Sequence, residues 1–387
     1  MYTRVPYLRL SGFYFFYFAL LGALVPYWSL YLHGFGFDAF TIGALMAILH
    51  ATRIFAPNLW GWLADRSGQR LKIVRFGALI TLLAFSAIFW QQEPLGIALV
   101  MLLFSFFWNA VLPQFEVVTL SWLGEQRERY SQIRLWGSVG FIFTVAGVGY
   151  LLDRVAVSEL PLILLLLMLM IWLNTLLVPE PEQLSARPSK GDFMALLLRP
   201  QVIAFFVICF LVQFGHGAYY TFYSVMMEGL GYDRGEIGLL WSVGVVAEVL
   251  IFIVMHRLIA SYGVRAIMLC SLVLCVIRWT LTGLFPEHLL LMLLMQSLHA
   301  ATFGCLHAVG IHLVHHYFSP STQGQGQALF SSFGFGAGGA LGALVSGVMW
   351  DAAGATATFM LAASVSLVAI VLAMVWIYPE KLQQSGP

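Results

Sequence analysis

PEPEQLSARPSKGDFMALLLRP, residues 179–200, is the longest polar stretch in a chain of 387 residues. On either side of it the sequence falls into apolar runs of about 20 residues, the length a helix needs to cross a hydrocarbon core of about 30 Å. Upstream these runs lie at 10–32, 41–63, 72–91, 95–120, 133–153 and 160–178. Downstream they lie at 201–227, 236–258, 266–285, 288–314, 324–350 and 355–378. Six spans, a polar linker and six more predict an all-α membrane protein with two pseudo-symmetric six-helix bundles. The bundles are expected at 1–178 and 201–387, joined by a cytoplasmic linker at 179–200.

Composition agrees. Hydrophobic residues make up 60% of the chain and charged residues 10%, and mean hydropathy is +0.88, which leaves too little charge to cover a soluble surface of this size. Barrel strands alternate in polarity, and these runs do not. Cys209, Cys270, Cys275 and Cys305 all fall inside apolar runs without CxxC or CxxH spacing, so they read as space-filling thiols. The start, MYTRVPYLRL, lacks a small-residue cleavage site, so the first run reads as a retained span. No basic block suggests nucleic acid.

Lys and Arg in the loops set the expected orientation. With both termini inside, the cytoplasmic side collects Arg4, Arg9, Arg66, Arg70, Lys72, Arg75, Arg127, Arg129, Arg134, Arg187, Lys190, Arg199, Arg257, Arg265 and Lys381. The outer side holds only Arg154 and Arg234.

The second and third spans are joined by GWLADRSGQR, residues 61–70. This resembles the G-x-x-x-D-R/K-x-G-R/K-R/K loop of the major facilitator superfamily. In that fold Gly61 permits close helix approach and Gly68 the reversal. The resemblance implies that Asp65, with Arg66 and Arg70 beside it, forms a gating latch on a helix N-terminus of the opposite bundle, holding the outward-open state. The matching loop of the second half, from His256 to Arg265, keeps only fragments.

Further segments look like the phenylpropionate permease branch: RLWGSVGF (134–141), QFGHGAYY (213–220), LWSVGVVAEV (240–249), VIRW (276–279), QSLH (296–299) and Thr302-Phe303. That resemblance implies proton-coupled symport of an aromatic carboxylate such as 3-phenylpropionate across a bacterial inner membrane. The fifth span, GSVGFIFTVAGVGYLL, lacks the proline of the superfamily's drug antiporters, which favours symport over efflux.

Charge inside a span marks a pathway or a proton site. Arg53, Glu116, Glu248 and Arg278 are the candidates. Arg53, Glu248 and Arg278 fall near mid-membrane by helical rise. A permanent ion pair orienting two helices would explain Glu248 and Arg278 equally well. His299, Phe303 and His307 share a helix face. With Glu248 and Arg278, His299 resembles the constellation that couples sugar and proton in lactose permeases. His216, Tyr219, Tyr220 and Tyr223 form a polar aromatic face on the seventh span. Tyr14, Tyr17 and Phe18 on the first span, Asn109 on the fourth and Trp241 on the eighth are further cavity candidates. Glu116 reads as a gate partner of the loop carrying Arg127, Arg129 and Arg134, and Gly334 to Gly347 as a packing track.

The expected mechanism is alternating access around one mid-membrane site. Arg53 or Arg278 pairs with the substrate carboxylate, Glu248 accepts the coupled proton and His299 tunes it. No catalytic residue, metal or cofactor is expected beyond the proton, and the functional unit is expected to be a monomer in the lipid bilayer. A sugar or nucleoside symporter on the same scaffold is the alternative. A membrane enzyme is disfavoured by the lack of a nucleophile–base pair, and a sensor by the lack of a signalling domain.

Overall fold

The computed structural model describes residues 5–181, 193–319 and 321–378. Arg4, Arg187, Lys190, Lys381 and linker residues 182–192 lie outside the described residues. The first six helices are α1 (Tyr7–His33), α2 (Ala39–Ser67), α3 (Arg70–Trp90), α4 (Pro94–Leu123), α5 (Arg127–Leu152) and α6 (Val157–Leu177). A single helical turn, Phe193–Leu197, precedes α7 (Pro200–Gly229).

Two of the remaining apolar helices, Arg234–Leu284 and Gln323–Trp376, are too long for one crossing. Each is broken by a glycine in a left-handed conformation, Gly263 with φ 75° and Gly354 with φ 78°. A side chain is strained there, so glycine is what permits the break. The breaks give α8 (234–262) and α9 (264–284), then α11 (323–353) and α12 (355–376), with α10 (Leu289–Tyr317) between. Ten apolar helices among the described residues thus supply twelve spans.

The chain groups into two units, Met1–Ala186 with Tyr232–Ser242, and Arg187–Gly231 with Val243–Pro387. Within each, the first helix packs backbone to backbone on the fifth. A Cβ at Gly22 of α1 would stand 2.7 Å from the Phe141 carbonyl oxygen, and one at Gly140 of α5 would strike the Phe15 carbonyl. In the second unit a Cβ at Gly342 of α11 would strike the Phe214 carbonyl, and one at Gly217 of α7 would stand 2.6 Å from the Ala343 nitrogen. The glycine track of the eleventh span is therefore a packing seam. Gly342→Leu is expected to force α7 and α11 apart and destabilise the protein by about 1–3 kcal/mol or more, read as a lower thermal midpoint in detergent.

Helix ends in the first unit are closed by side chains. A helix leaves its last four carbonyls without intrahelical partners. Around the end of α6, Arg75 donates to the Thr175 and Val178 carbonyls at 3.2 and 2.9 Å, and Arg9 to Leu177 at 3.0 Å. Trp122 donates to the Pro179 carbonyl at 3.1 Å. Two arginines that set the expected orientation thus also cap α6. At the other end of this unit, the Asp153 carboxylate accepts from the Gly235 N–H at 3.1 Å, while Arg234 donates to the Leu152 carbonyl at 2.8 Å. Anion at a helix start and cation at a helix end is the arrangement that helix dipoles favour.

Candidate functional site

In the second unit, Arg278 of α9 is 1% exposed and donates three hydrogen bonds to α10. These reach Thr302 Oγ1 at 2.8 Å, His299 Nδ1 at 3.1 Å and Gln296 Oε1 at 3.5 Å. An arginine only donates, so Nδ1 of His299 must carry the lone pair. In the neutral ring the hydrogen is then on Nε2, which faces Glu248 Oε2 at 3.5 Å. The contacts run Glu248–His299–Arg278. The acid and the cation, which the sequence placed at similar depth, are bridged by the imidazole.

The backbone makes this reach possible. Immediately after His299, α10 widens into a π-helix over Ala300–Cys305, a local insertion common at functional sites. A Cβ on Gly304 in that segment would stand 3.2 Å from Glu248 Cγ and 3.1 Å from Ile251 Cγ2. A Cβ on Gly244 of α8 would stand 3.3 Å from His299 Cβ. Two glycines thus bring α8 and α10 together where acid meets imidazole. Gly304→Val is expected to push Glu248 away from His299 and abolish gradient-driven uptake with every charge retained. Unimpaired accumulation by purified Gly304→Val in proteoliposomes would refute that.

Aromatic rings cover the cation. The Arg278 guanidinium lies 4.6 Å from the Tyr219 ring centre and 4.5 Å from that of Trp279. The Tyr219 hydroxyl donates to Gln296 Oε1 at 2.7 Å, and Tyr219 packs on Tyr220 and Tyr223 at 5.4 and 5.1 Å. His216, fully buried, lies 5.7 Å from Tyr220 and 5.0 Å edge-on to Trp279. His299, Phe303 and His307 stack in sequence at 5.1 and 6.1 Å, so their shared face persists through the π-helix. A cavity of ≈ 20 Å³ lies beside this stack, lined by His307, Phe303, Phe330, Phe335 and Gln213 among others.

Gln296, Thr302 and Trp279 complete the cluster, and single-residue reasoning gave them no role. The available signal was polar residues three positions before and after His299 in an apolar span, a spacing that puts all three on one helix face.

The first unit holds a second polar cluster. Tyr14 donates to Thr119 Oγ1 at 3.1 Å, and Tyr130 donates to Glu116 Oε1 at 3.1 Å. Tyr17 stacks on Trp108 at 5.3 Å, within electrostatic reach of Arg53, Glu116 and Arg134. Arg134 lies 3.8 Å over Phe18 and 5.8 Å from the Tyr14 ring. The Glu116 carboxylate lies within its electrostatic reach. Asn109 donates to the Leu49 carbonyl and to Thr52 Oγ1, at 3.0 and 2.9 Å. Both amide hydrogens are thereby committed to tying α4 to α2. Trp241 is buried at the start of α8.

Within the 61–70 loop, Asp65 pairs with Arg70, which also donates to Gln114 Oε1 of α4 at 2.6 Å. A Cβ on Gly61 would lie 3.5 Å from the amide nitrogen of that glutamine. Gly68 ends α2 at φ 67°, and Arg66 lies 5.5 Å from the Trp62 ring. Arg70 thus joins the loop to α4 through Gln114, a partner the motif does not include.

Twelve apolar spans, buried charge linked across helices and a polar loop between α2 and α3 define a secondary transporter of the major facilitator type. Residues 7–361 match the MFS_1 like family, and the chain belongs to it. It is 30% identical over 305 residues to a probable 3-phenylpropionic acid transporter of Escherichia coli (strain K12), covering 78% of this chain and 80% of that one. It is 25% identical to a maltose permease of Geobacillus stearothermophilus over 88% of this chain and 86% of that one. It is 24% identical to the nucleoside permease NupG of Escherichia coli (strain K12), over 80% and 79% of the two chains. The crystal structure of nucleoside transporter NupG superposes with a TM-score of 0.84 at 20% identity, covering 98% of this chain and 100% of that one. The protein is a multi-pass membrane transporter and not an enzyme.

Proposed function

We propose that this transporter imports an aromatic carboxylate with a proton, by alternating access, across a bacterial inner membrane with both termini cytoplasmic. The observation that carries the reading is the Glu248–His299–Arg278 chain, an acid wired through a neutral imidazole to a buried guanidinium. The similarity to a probable 3-phenylpropionic acid transporter supports the substrate class. Arg278 takes the carboxylate by giving up its longest contact, to Gln296, while Tyr219 and Trp279 present aromatic faces to the aryl group. An anion on Arg278 offsets the positive field that favours an ionised Glu248, so Glu248 takes up the proton. Substrate and proton thus bind cooperatively, which is the coupling. The proton is the only cofactor in this scheme, and a single chain suffices for it.

A second placement of the carboxylate rests on Arg134. Arg278 already donates three hydrogen bonds, whereas Arg134 lies over the Phe18 and Tyr14 rings with Glu116 within electrostatic reach. In that placement Arg278 serves Glu248 alone and the anion is held in the first unit.

The test is uptake into proteoliposomes under an imposed pH gradient, with 3-phenylpropionate, longer arylalkanoates, uridine and maltose as substrates. Accumulation of an aryl acid that collapses with the gradient supports the reading; accumulation only of maltose or uridine overturns it. Arg134→Ala and Arg278→Ala, compared on 3-phenylpropionate and its neutral amide, decide which guanidinium reads the carboxylate.

A further inference from the structure

Among the described residues, one nitrogen of His216 has no hydrogen-bond partner. Its Nδ1 is 2.8 Å from the Val212 carbonyl, and a carbonyl only accepts, so Nδ1 carries the hydrogen. In the neutral ring Nε2 is then an acceptor. It is buried and makes no hydrogen bond. Leaving a buried acceptor empty costs free energy, so native structures rarely retain one without a use for it.

Two polar neighbours, His299 and Tyr219, are engaged elsewhere. Trp279, Tyr220, Phe303 and His299 surround the ring at centroid distances of 5.0, 5.7, 6.0 and 6.1 Å. His299 faces Arg278 with one nitrogen and Glu248 with the other, and the hydroxyl hydrogen of Tyr219 goes to Gln296. His216 also lies within electrostatic reach of Arg278. An unfilled acceptor therefore stands in an aromatic wall next to the guanidinium proposed to hold the carboxylate.

We propose that Nε2 of His216 accepts a hydrogen bond from a hydroxyl or N–H group on the substrate's aryl part. The preferred substrate class is then a donor-bearing aryl carboxylate rather than an unsubstituted one. This rests on the aromatic-carboxylate reading above and adds a second recognition point to the same site. A site that hydrogen-bonds a substrate hydroxyl discriminates against an analogue without it, because the buried partner is then left unpaired.

The experiment is calorimetric binding to the purified full chain of 3-phenylpropionate and its 3- and 4-hydroxyphenyl and 3- and 4-methoxyphenyl analogues. Methoxy keeps the oxygen and removes the donor. The expected result is that at one ring position hydroxyl binds about tenfold tighter than methoxy. His216→Phe should bring that ratio close to one, while His216→Gln, which restores an acceptor, should keep most of it. The readout is a ratio, so a general loss of affinity does not mimic the effect. The wild-type ratio decides even where His216→Phe fails to assemble. Equal binding of hydroxyl and methoxy forms at both positions overturns the proposal, as does a preference that survives in His216→Phe. If 3-phenylpropionate binds without any hydroxyl preference, only this proposal falls. If no aryl carboxylate binds, the aromatic-carboxylate reading falls with it.

Discussion

Glu248→Gln is expected to abolish accumulation of 3-phenylpropionate against a gradient while leaving exchange of internal for external substrate intact. Glutamine keeps the shape of glutamate and an oxygen that can face the Nε2–H of His299, so the contact now at 3.5 Å has a replacement. What it lacks is a group that titrates. Loading and unloading then proceed without a proton, and internal substrate rises to the external concentration and no further. Exchange needs only the substrate-loaded protein to alternate, so counterflow should persist in the same vesicles. Accumulation by Glu248→Gln under a pH gradient would remove Glu248 from the coupling step. Loss of both uptake and exchange would make it a structural member of the cluster.

Arg278→Ala is expected to weaken 3-phenylpropionate binding by roughly 30-fold or more, the scale seen when one partner of a buried charged contact is removed. The substitution also leaves His299 Nδ1 and Thr302 Oγ1 without the donor they share, while Gln296 keeps the Tyr219 hydroxyl. Stability should therefore fall as well, by about 3–5 kcal/mol if the buried network is broken outright. Arg278→Lys separates the two effects. A lysine keeps the charge but not the planar fork that serves three acceptors at once, so part of the affinity should return and less of the stability. If Arg278→Ala lowers only the thermal midpoint and leaves the affinity unchanged, Arg278 is a tie between α9 and α10. The carboxylate then belongs to a guanidinium of the first unit, Arg53 or Arg134.

Much of the architecture was legible before any coordinates. A hydrocarbon core imposes one length on every span and forbids unpaired backbone, so apolar runs of suitable length can only be helices. That is why the spans at 236–258 and 266–285, and those at 324–350 and 355–378, are separable in the sequence even though a single non-helical glycine, Gly263 or Gly354, parts the two helices of each pair. Charge inside a span is rare enough to be conspicuous, so Glu248, Arg278 and His299 stood out from sequence alone.

Wiring was not legible in the same way. Partners on different helices depend on helix rotation and approach, which a single run of sequence does not encode. Glu248 and Arg278 had the right depth to meet, yet the structure shows His299 between them, with Gly244 and Gly304 setting the spacing. Asn109 looked like a cavity residue from its polarity, but its amide ties α4 to α2. Arg134 groups with Glu116 in the sequence by proximity alone; the structure adds that its guanidinium lies over the Phe18 ring, with Glu116 within electrostatic reach.

The sequence by itself determined a polytopic helical transporter with a few intramembrane charges, because the bilayer turns composition into topology residue by residue. Only the tertiary structure decided that Nδ1 of His299 serves Arg278, that Gln296 and Thr302 share the same cation, and that Nε2 of His216 is left without a donor. Hydrogen bonds are directional to within a few tenths of an ångström, and that precision arises only when separate helices pack.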